Sequence, residues 1–235
     1  MIRRIAASFL LGVLLTAGAF AAFDRRINHM TARAEGTYFT IQGRAHNYFG
    51  DFRSDMTLWH FEKAFYFPKL AHAFAVDVGV GVGGKTAYAD WEVRYSLSTP
   101  QASVAGNRQS IQLHTLEVDG RSFLRLDKSI HPYIQLGLVL PYLAVPKGAT
   151  YLGSRLNASY AGLGANLGTG LILDLDAHSF INLGASYRYL FFLYAYGEGK
   201  GRDTNHLRVG YNGPKLGRVL RSSSLAVFLS LGFML

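Results

Sequence analysis

Cysteine is absent from the 235 residues, which excludes disulfide staples, a lipid-anchor thiol and a thiolate metal centre. Charge is sparse too: 17% of the chain is Asp, Glu, Lys or Arg, against 49% hydrophobic residues. Beyond the amino terminus no apolar run reaches the roughly 18 residues that a membrane-crossing helix needs. The hydrophobicity is interleaved with small and polar residues instead of blocked. That is the weak, per-segment pattern of membrane-spanning strands. What the chain does have in quantity is Gly (26), Phe (16) and Tyr (14).

At the amino terminus Arg3 and Arg4 precede an apolar run from Ile5 to Phe20, and Ala19-Phe20-Ala21 supplies a small-x-small cleavage site. These are the parts of a secretory signal peptide, so residues 1–21 are read as a leader outside the fold. Gly12 and Gly18 interrupt the run, which is short for a retained anchor. Without the leader's two arginines the formal charge falls from +9 to +7 and stays basic. Residues 22–36 then form a polar, basic periplasmic lead, and residues 37–235 a strand-built domain.

The carboxyl terminus is the clearest stretch. From Leu225 to Leu235 a bulky apolar residue stands at every odd position, with Ala226, Ser230 and Gly232 opposite. An uncovered apolar strand is an aggregation hazard in a soluble domain, whereas a barrel closing in lipid needs one as its last stave. Eight alternating segments are expected near 37–49, 56–67, 73–97, 109–126, 132–145, 157–174, 179–195 and 223–235, with tight inner turns at 68–72, 127–131 and 175–178. Ile134, Leu136, Leu138 and Leu140, then Leu163, Leu167 and Leu171, then Ile181, Leu183 and Tyr187, repeat one lipid-facing parity through three consecutive staves.

Two segments break parity. Val76, Val78, Val80 and Val82 are even, but Trp91, Val93, Tyr95 and Leu97 are odd, and Ile111 and Leu113 give way to Leu116 and Val118. A bulge at Gly83-Gly84 restores the first facing. The rival reading makes hairpin turns of Gly83-Gly84-Lys85 and Asp119-Gly120 and gives ten strands. It leaves 121–126 shorter than the ~9 to 11 residues of a stave, so the expected fold is an all-β, eight-stranded antiparallel up-and-down transmembrane barrel.

The runs His131-Pro132-Tyr133-Ile134-Gln135-Leu136-Gly137, Tyr160-Ala161-Gly162-Leu163-Gly164 with Leu167-Gly168-Thr169-Gly170, and Ser186-Tyr187-Arg188-Tyr189 resemble the small outer-membrane β-barrel proteins of the OmpA/OmpX/OmpW kind. The resemblance covers most of residues 37–235 and is one of pattern. It implies a bacterial outer-membrane location and assembly by the barrel-insertion machinery. That family usually ends on Phe, whereas this chain ends on Leu235 with Phe233 two positions earlier.

The lumen parity collects Gln42, Arg44, His46, His60, Glu62, Asp77, Glu92, Arg94, Glu117, Asp119, Arg121, Arg125, Asn166 and Arg188. Eight strands enclose only enough room for side chains, so both signs of charge are expected to pair into a closed network, with glycines of the later staves making room for long arginines. A first hairpin pairing Arg44 with Glu62 also sets His46 opposite His60. Two histidines fall short of the three or four ligands a metal needs, so no metal or cofactor is assigned.

Outer-membrane lipid A deacylases and acyltransferases are barrels of this size. Their chemistry requires serine, histidine and a carboxylate at the outer rim. Ser110 with His114 nearby and Glu92 across the strand is such a set on paper, but the His-x-Ser signature of the deacylases is missing. No catalytic residue is assigned and the chain is read as a non-enzyme.

The last loop is basic: Lys200, Arg202, Arg208, Lys215, Arg218 and Arg221 outnumber Glu198 and Asp203 by four. It is read either as a contact for lipopolysaccharide phosphates and sugars or as a solvated loop that aids solubility. Tyr142, Tyr187, Tyr189, Trp59 and Trp91 are expected in the outer aromatic girdle. The expected role is structural or adhesive, through the outer loops and lipopolysaccharide. A narrow pore for small solutes and a lipid A-modifying enzyme are the alternatives. Expected partners are outer-membrane lipids and an unidentified surface or periplasmic protein; nothing points to nucleic acid.

Overall fold

A computed structural model describes residues 35–60, 63–86, 89–124, 129–198 and 215–235; the leader and most of the basic lead lie outside them. Thirteen strands follow in chain order: β1 Gly36–Gly50, β2 Met56–His60, β3 Lys63–Phe67, β4 Lys69–Leu70, β5 Phe74–Lys85, β6 Ala89–Ser98, β7 Gln101–Val104, β8 Asn107–Ser110, β9 Gln112–Phe123, β10 Ile130–Tyr151, β11 Ser154–Asp174, β12 Ser179–Glu198 and β13 Lys215–Met234. Eight of them, β1, β5, β6, β9, β10, β11, β12 and β13, pair antiparallel in that order. The final stave returns to the first, from Tyr38 opposite Met234 to Gly50 opposite Ser222, so the barrel is closed. Closure leaves no unpaired edge in the ring, which is the condition for strands in lipid.

The described start and end of the ring lie at one end, with the short connections 86–88, 124–129 and 175–178. Short turns mark the periplasmic side of such barrels. In the last of these turns the backbone N–H groups of His178 and Ser179 both donate to Asp176 Oδ1 at 2.7 Å, and these bonds hold the Asp176 carboxyl below its ordinary range. His178 is thus a turn residue, and Ser179 opens β12. The opposite, outer end carries the described residues between 51 and 73, residues 99–111, the tip of the long β10–β11 hairpin and the end of β12.

The count of eight holds, but two staves differ from those expected. Residues 56–67 are not a stave. They form the β2–β3 hairpin, which pairs with the outer extension of β10, Phe65 opposite Ala149. The 68–72 connection accordingly lies at the outer end. The expected partnership of Arg44 with Glu62 and His46 with His60 is overturned, because β1 pairs with β5 and sets Arg44 opposite Asp77.

The missing stave comes from 73–97, which is two antiparallel strands, β5 and β6, between whose adjoining ends the Thr86 hydroxyl donates to the Ala89 carbonyl at 2.6 Å. This register pairs even residues with odd ones, Val80 with Tyr95 and Val82 with Val93. The parity change is therefore a hairpin, not a bulge. In β9 parity never breaks: Leu113 points inward and Leu116 outward. Leu113 misled because the lumen is apolar at its outer end.

The interior has three storeys. Tyr38, Phe123, Tyr133, Ile172, Phe180 and Phe228 form an apolar floor toward the inner end. Charged side chains fill the middle. A larger apolar cap includes Leu113, Val139, Leu143, Tyr160 and Phe192 from the wall, together with Phe52 and Phe67 from the first outer connection and Val104 and Ile111 from the second. Phe52 stacks on Phe67 with centroids 5.1 Å apart, and Phe67 meets Tyr160 edge-on at 5.2 Å. Lys69 and Leu70 pair with Ser103 and Ala102, joining the two connections.

Candidate functional site: the charged lumen and the outer rim

Four guanidinium groups, Arg44, Arg94, Arg121 and Arg188, meet four carboxylates, Asp77, Glu92, Glu117 and Asp119, all fully or almost fully buried. Alternation on β1, β5, β6, β9 and β12 brings them there. Glu117 is the hub. It accepts from Arg44 Nη1 at 3.0 and 3.1 Å and from Arg94 Nη1 at 3.2 Å, and it pairs with Arg188. Glu92 takes Arg94 Nε at 2.9 Å, the Thr40 hydroxyl at 2.9 Å and Arg121. Asp119 accepts from Arg94 at 3.3 Å and from the Asn166 amide at 3.0 Å.

Burying one ion costs several kcal/mol even after relaxation. Equal numbers of both signs, each within hydrogen-bond reach of the other, offset that cost here. The glycines make this possible, but less for arginine than expected. A Cβ on Gly137 would meet Asp119 Oδ1 and one on Gly81 would lie 2.5 Å from Glu92 Oε1, while Gly170, Gly184 and Gly232 clear space for Tyr133, Phe228 and Phe180. Gly232 on the inner face of β13 thus serves the aromatic floor. Phe228, also on the inner face of β13, lies under the Arg44 guanidinium at 5.4 Å.

His46 marks the boundary between middle and cap. Its Nε2 lies 2.7 Å from Asp77 Oδ2 and its Nδ1 3.2 Å from Ser224 Oγ, with Arg188 Nη1 at 3.4 Å. Tyr48 stacks on the ring at 5.2 Å. These are the residue types of a hydrolytic triad, but His46 and Ser224 have no exposed surface, and the effect of the line is to fix the imidazole. The set Ser110, His114 and Glu92 is not assembled: Glu92 is inside the wall, and His114 is outside it against Tyr95.

Of the residues expected in the network, Arg44, His46, Glu92, Arg94, Glu117, Asp119, Arg121 and Arg188 converge in the middle storey. His60 ends β2 at the outer end, and Glu62 and Arg125 lie outside the described residues. Sequence reasoning missed Tyr38, Thr40, Ser96 and Ser224, all bonded into the network. Tyr38 and Thr40 share the inward parity of Arg44 and Ser96 that of Arg94, and that signal was available; Ser224 has no such charged neighbour among the described side chains of β13.

At the outer rim, Lys200, Arg202 and Arg208 lie outside the described residues. Lys215 and Arg218 belong to β13, and the exposed Arg221 donates its backbone N–H to Asp51 Oδ2 at 2.7 Å. Five further cations are exposed at this end: Arg53, Lys69, Arg108, Lys147 and Arg155. Trp59 is 73% exposed on the outer hairpin, but Trp91 is the third residue of β6, at its inner end, and so belongs to the inner girdle.

The outside of the ring decides the environment. Val76, Val78, Val80, Val82, Leu136, Leu167, Leu183, Leu225 and Leu229 are each about half exposed, around a closed barrel that turns Arg44, Asp77, Glu92, Arg94, Glu117, Asp119, Arg121 and Arg188 inward. Such an exterior is stable in hydrocarbon and not in water. The chain is a closed, eight-stranded β-barrel with a lipid-facing exterior. No protein-family model and no curated protein matches this barrel. Its fold is similar to that of Neisserial surface protein A (13% identity over 85% of this chain and 97% of that one, TM-score 0.49). It is also similar to OprG from Pseudomonas aeruginosa (13%, 88% and 99%, TM-score 0.46) and to Ail of Yersinia pestis (13%, 85% and 100%, TM-score 0.38).

Proposed function

We propose that this barrel has a closed lumen and acts from its outer surface, in a structural and adhesive role supported by contact with lipopolysaccharide. One observation carries the reading: the ion-paired middle lies between two apolar storeys, so the interior is stacked as a packed core would be. Function then falls to the outer end, where six exposed cations face the exposed Asp55 and the half-buried Asp51. Guanidinium and ammonium groups at that level match the phosphates of the outer leaflet. Reconstituted in a planar bilayer, the protein should show small, rare openings. A large steady conductance would replace this reading with that of a pore for small solutes.

A further inference from the structure

We propose that Tyr95, His114 and Tyr142 form a binding notch for a phosphate group of lipid A on the lipid-facing wall of β6, β9 and β10. This deepens the lipopolysaccharide reading above and rests on it. The register sets Leu97, His114 and Tyr142 in one row across the three staves. An ionisable group on the lipid face of a barrel stave is costly and calls for a reason. The outward neighbours of His114 along its own stave are Leu116 and Val118 toward the inner end and Gln112 toward the outer.

The imidazole sits between two phenol rings, with centroids 6.0 Å from each, and its Nδ1 is 2.6 Å from the Tyr95 hydroxyl. That bond orients the ring and leaves Nε2 as a donor in either protonation state that keeps a proton there. Neither Nε2 nor the Tyr142 hydroxyl has a hydrogen-bond partner among the described residues. Both belong to partly exposed side chains, His114 near the outer end of β9 and Tyr142 beside it in the same row of β10.

A second feature lies one step further out. Gln109 donates its side-chain amide to the Pro146 carbonyl and ties β8 to the β10 extension. This places the exposed Arg108 and Lys147 next to that joint, and the Lys147 backbone N–H is held by Asn157 Oδ1 at 3.1 Å. The wall therefore presents neutral and imidazole donors at headgroup depth with two cations beyond them. Acyl chains would lie on the leucines below. A phosphorylated glycolipid of the outer leaflet has its anionic and apolar parts in that order, whereas a neutral lipid offers nothing to the donors.

The test is retention of lipid A by the purified, folded barrel in detergent, read by native mass spectrometry. Bisphosphoryl lipid A is expected to be retained about tenfold better by the wild-type chain than by His114→Phe, the effect of losing one charge-assisted hydrogen bond. Tyr142→Phe and the pair Arg108→Ala with Lys147→Ala should each weaken it further. Dephosphorylated lipid A should bind all forms alike. All of these changes are on the surface, and heat-modifiable migration verifies folding in each. Equal retention by wild type and His114→Phe overturns the notch while leaving the lipopolysaccharide reading in place, as does wild-type retention of phosphatidylglycerol equal to that of lipid A. Absence of retention by every form overturns both.

Discussion

Glu117→Ala is expected to cost the barrel about 3 to 5 kcal/mol, the penalty for leaving a buried ion without its partner. Three arginines converge on this carboxylate, Arg44 and Arg94 by hydrogen bonds of 3.0 to 3.2 Å and Arg188 by an ion pair. Its loss turns a balanced set of four and four into a net positive interior. Domain stabilities of about 5 to 15 kcal/mol leave little after such a loss. Glu117→Gln should fall nearly as far, because it keeps the shape and loses the charge. Adding Arg44→Met to Glu117→Gln should recover part of the stability by removing the excess cation. Denaturant midpoints followed by the fluorescence of Trp59 and Trp91, with heat-modifiable migration as the readout of folding, check the series. A midpoint for Glu117→Ala within error of wild type would mean that the charges are hydrated.

Gly232→Leu is the second large effect, and it acts on the seam. Gly232 is opposite Thr40 on β1 and opposite Phe180 on β12, and a Cβ there would lie 2.1 Å from the Phe180 ring. Overpacking usually costs about 1 to 3 kcal/mol; here the ring has Tyr38 edge-on at 5.3 Å and little freedom to retreat. The variant should accumulate as the unfolded, slow-migrating form. Phe180→Ala in the same chain should restore folding, since it vacates the space the leucine claims. Rescue failure would place the defect in the β13 backbone and not in the floor.

How far the sequence was readable depends on what each face is buried against. From Ile130 to the carboxyl terminus every stave turns leucines and aromatics to lipid, so strict alternation sufficed for strand order and facing. It failed at 56–67 because Met56 and Leu58 also alternate, and period-2 alternation reports one buried face without saying whether lipid or a neighbouring side chain covers it. It failed again at 73–97, where a compact turn without a strong Asn-Gly or Asp-Gly signal looked like a bulge. The network's members were legible from parity, but its pairings were not. Arg44 and Glu117 come from staves separated by two others, so they meet across the lumen and not along a ladder. Local pairing rules cannot supply such partners.

The network also has a consequence for how the molecule is made. Arg44 finds Glu117 73 residues along the chain, and His46 finds Arg188 142 residues along it. The Glu117 hub therefore lacks Arg188 until β12 has arrived, and His46 lacks Ser224 until β13 zips onto β1. An open sheet of these staves would be greasy on one side and ionic on the other, stable neither in hydrocarbon nor in water. Seam closure is then the step at which the network acquires its last partner, Ser224.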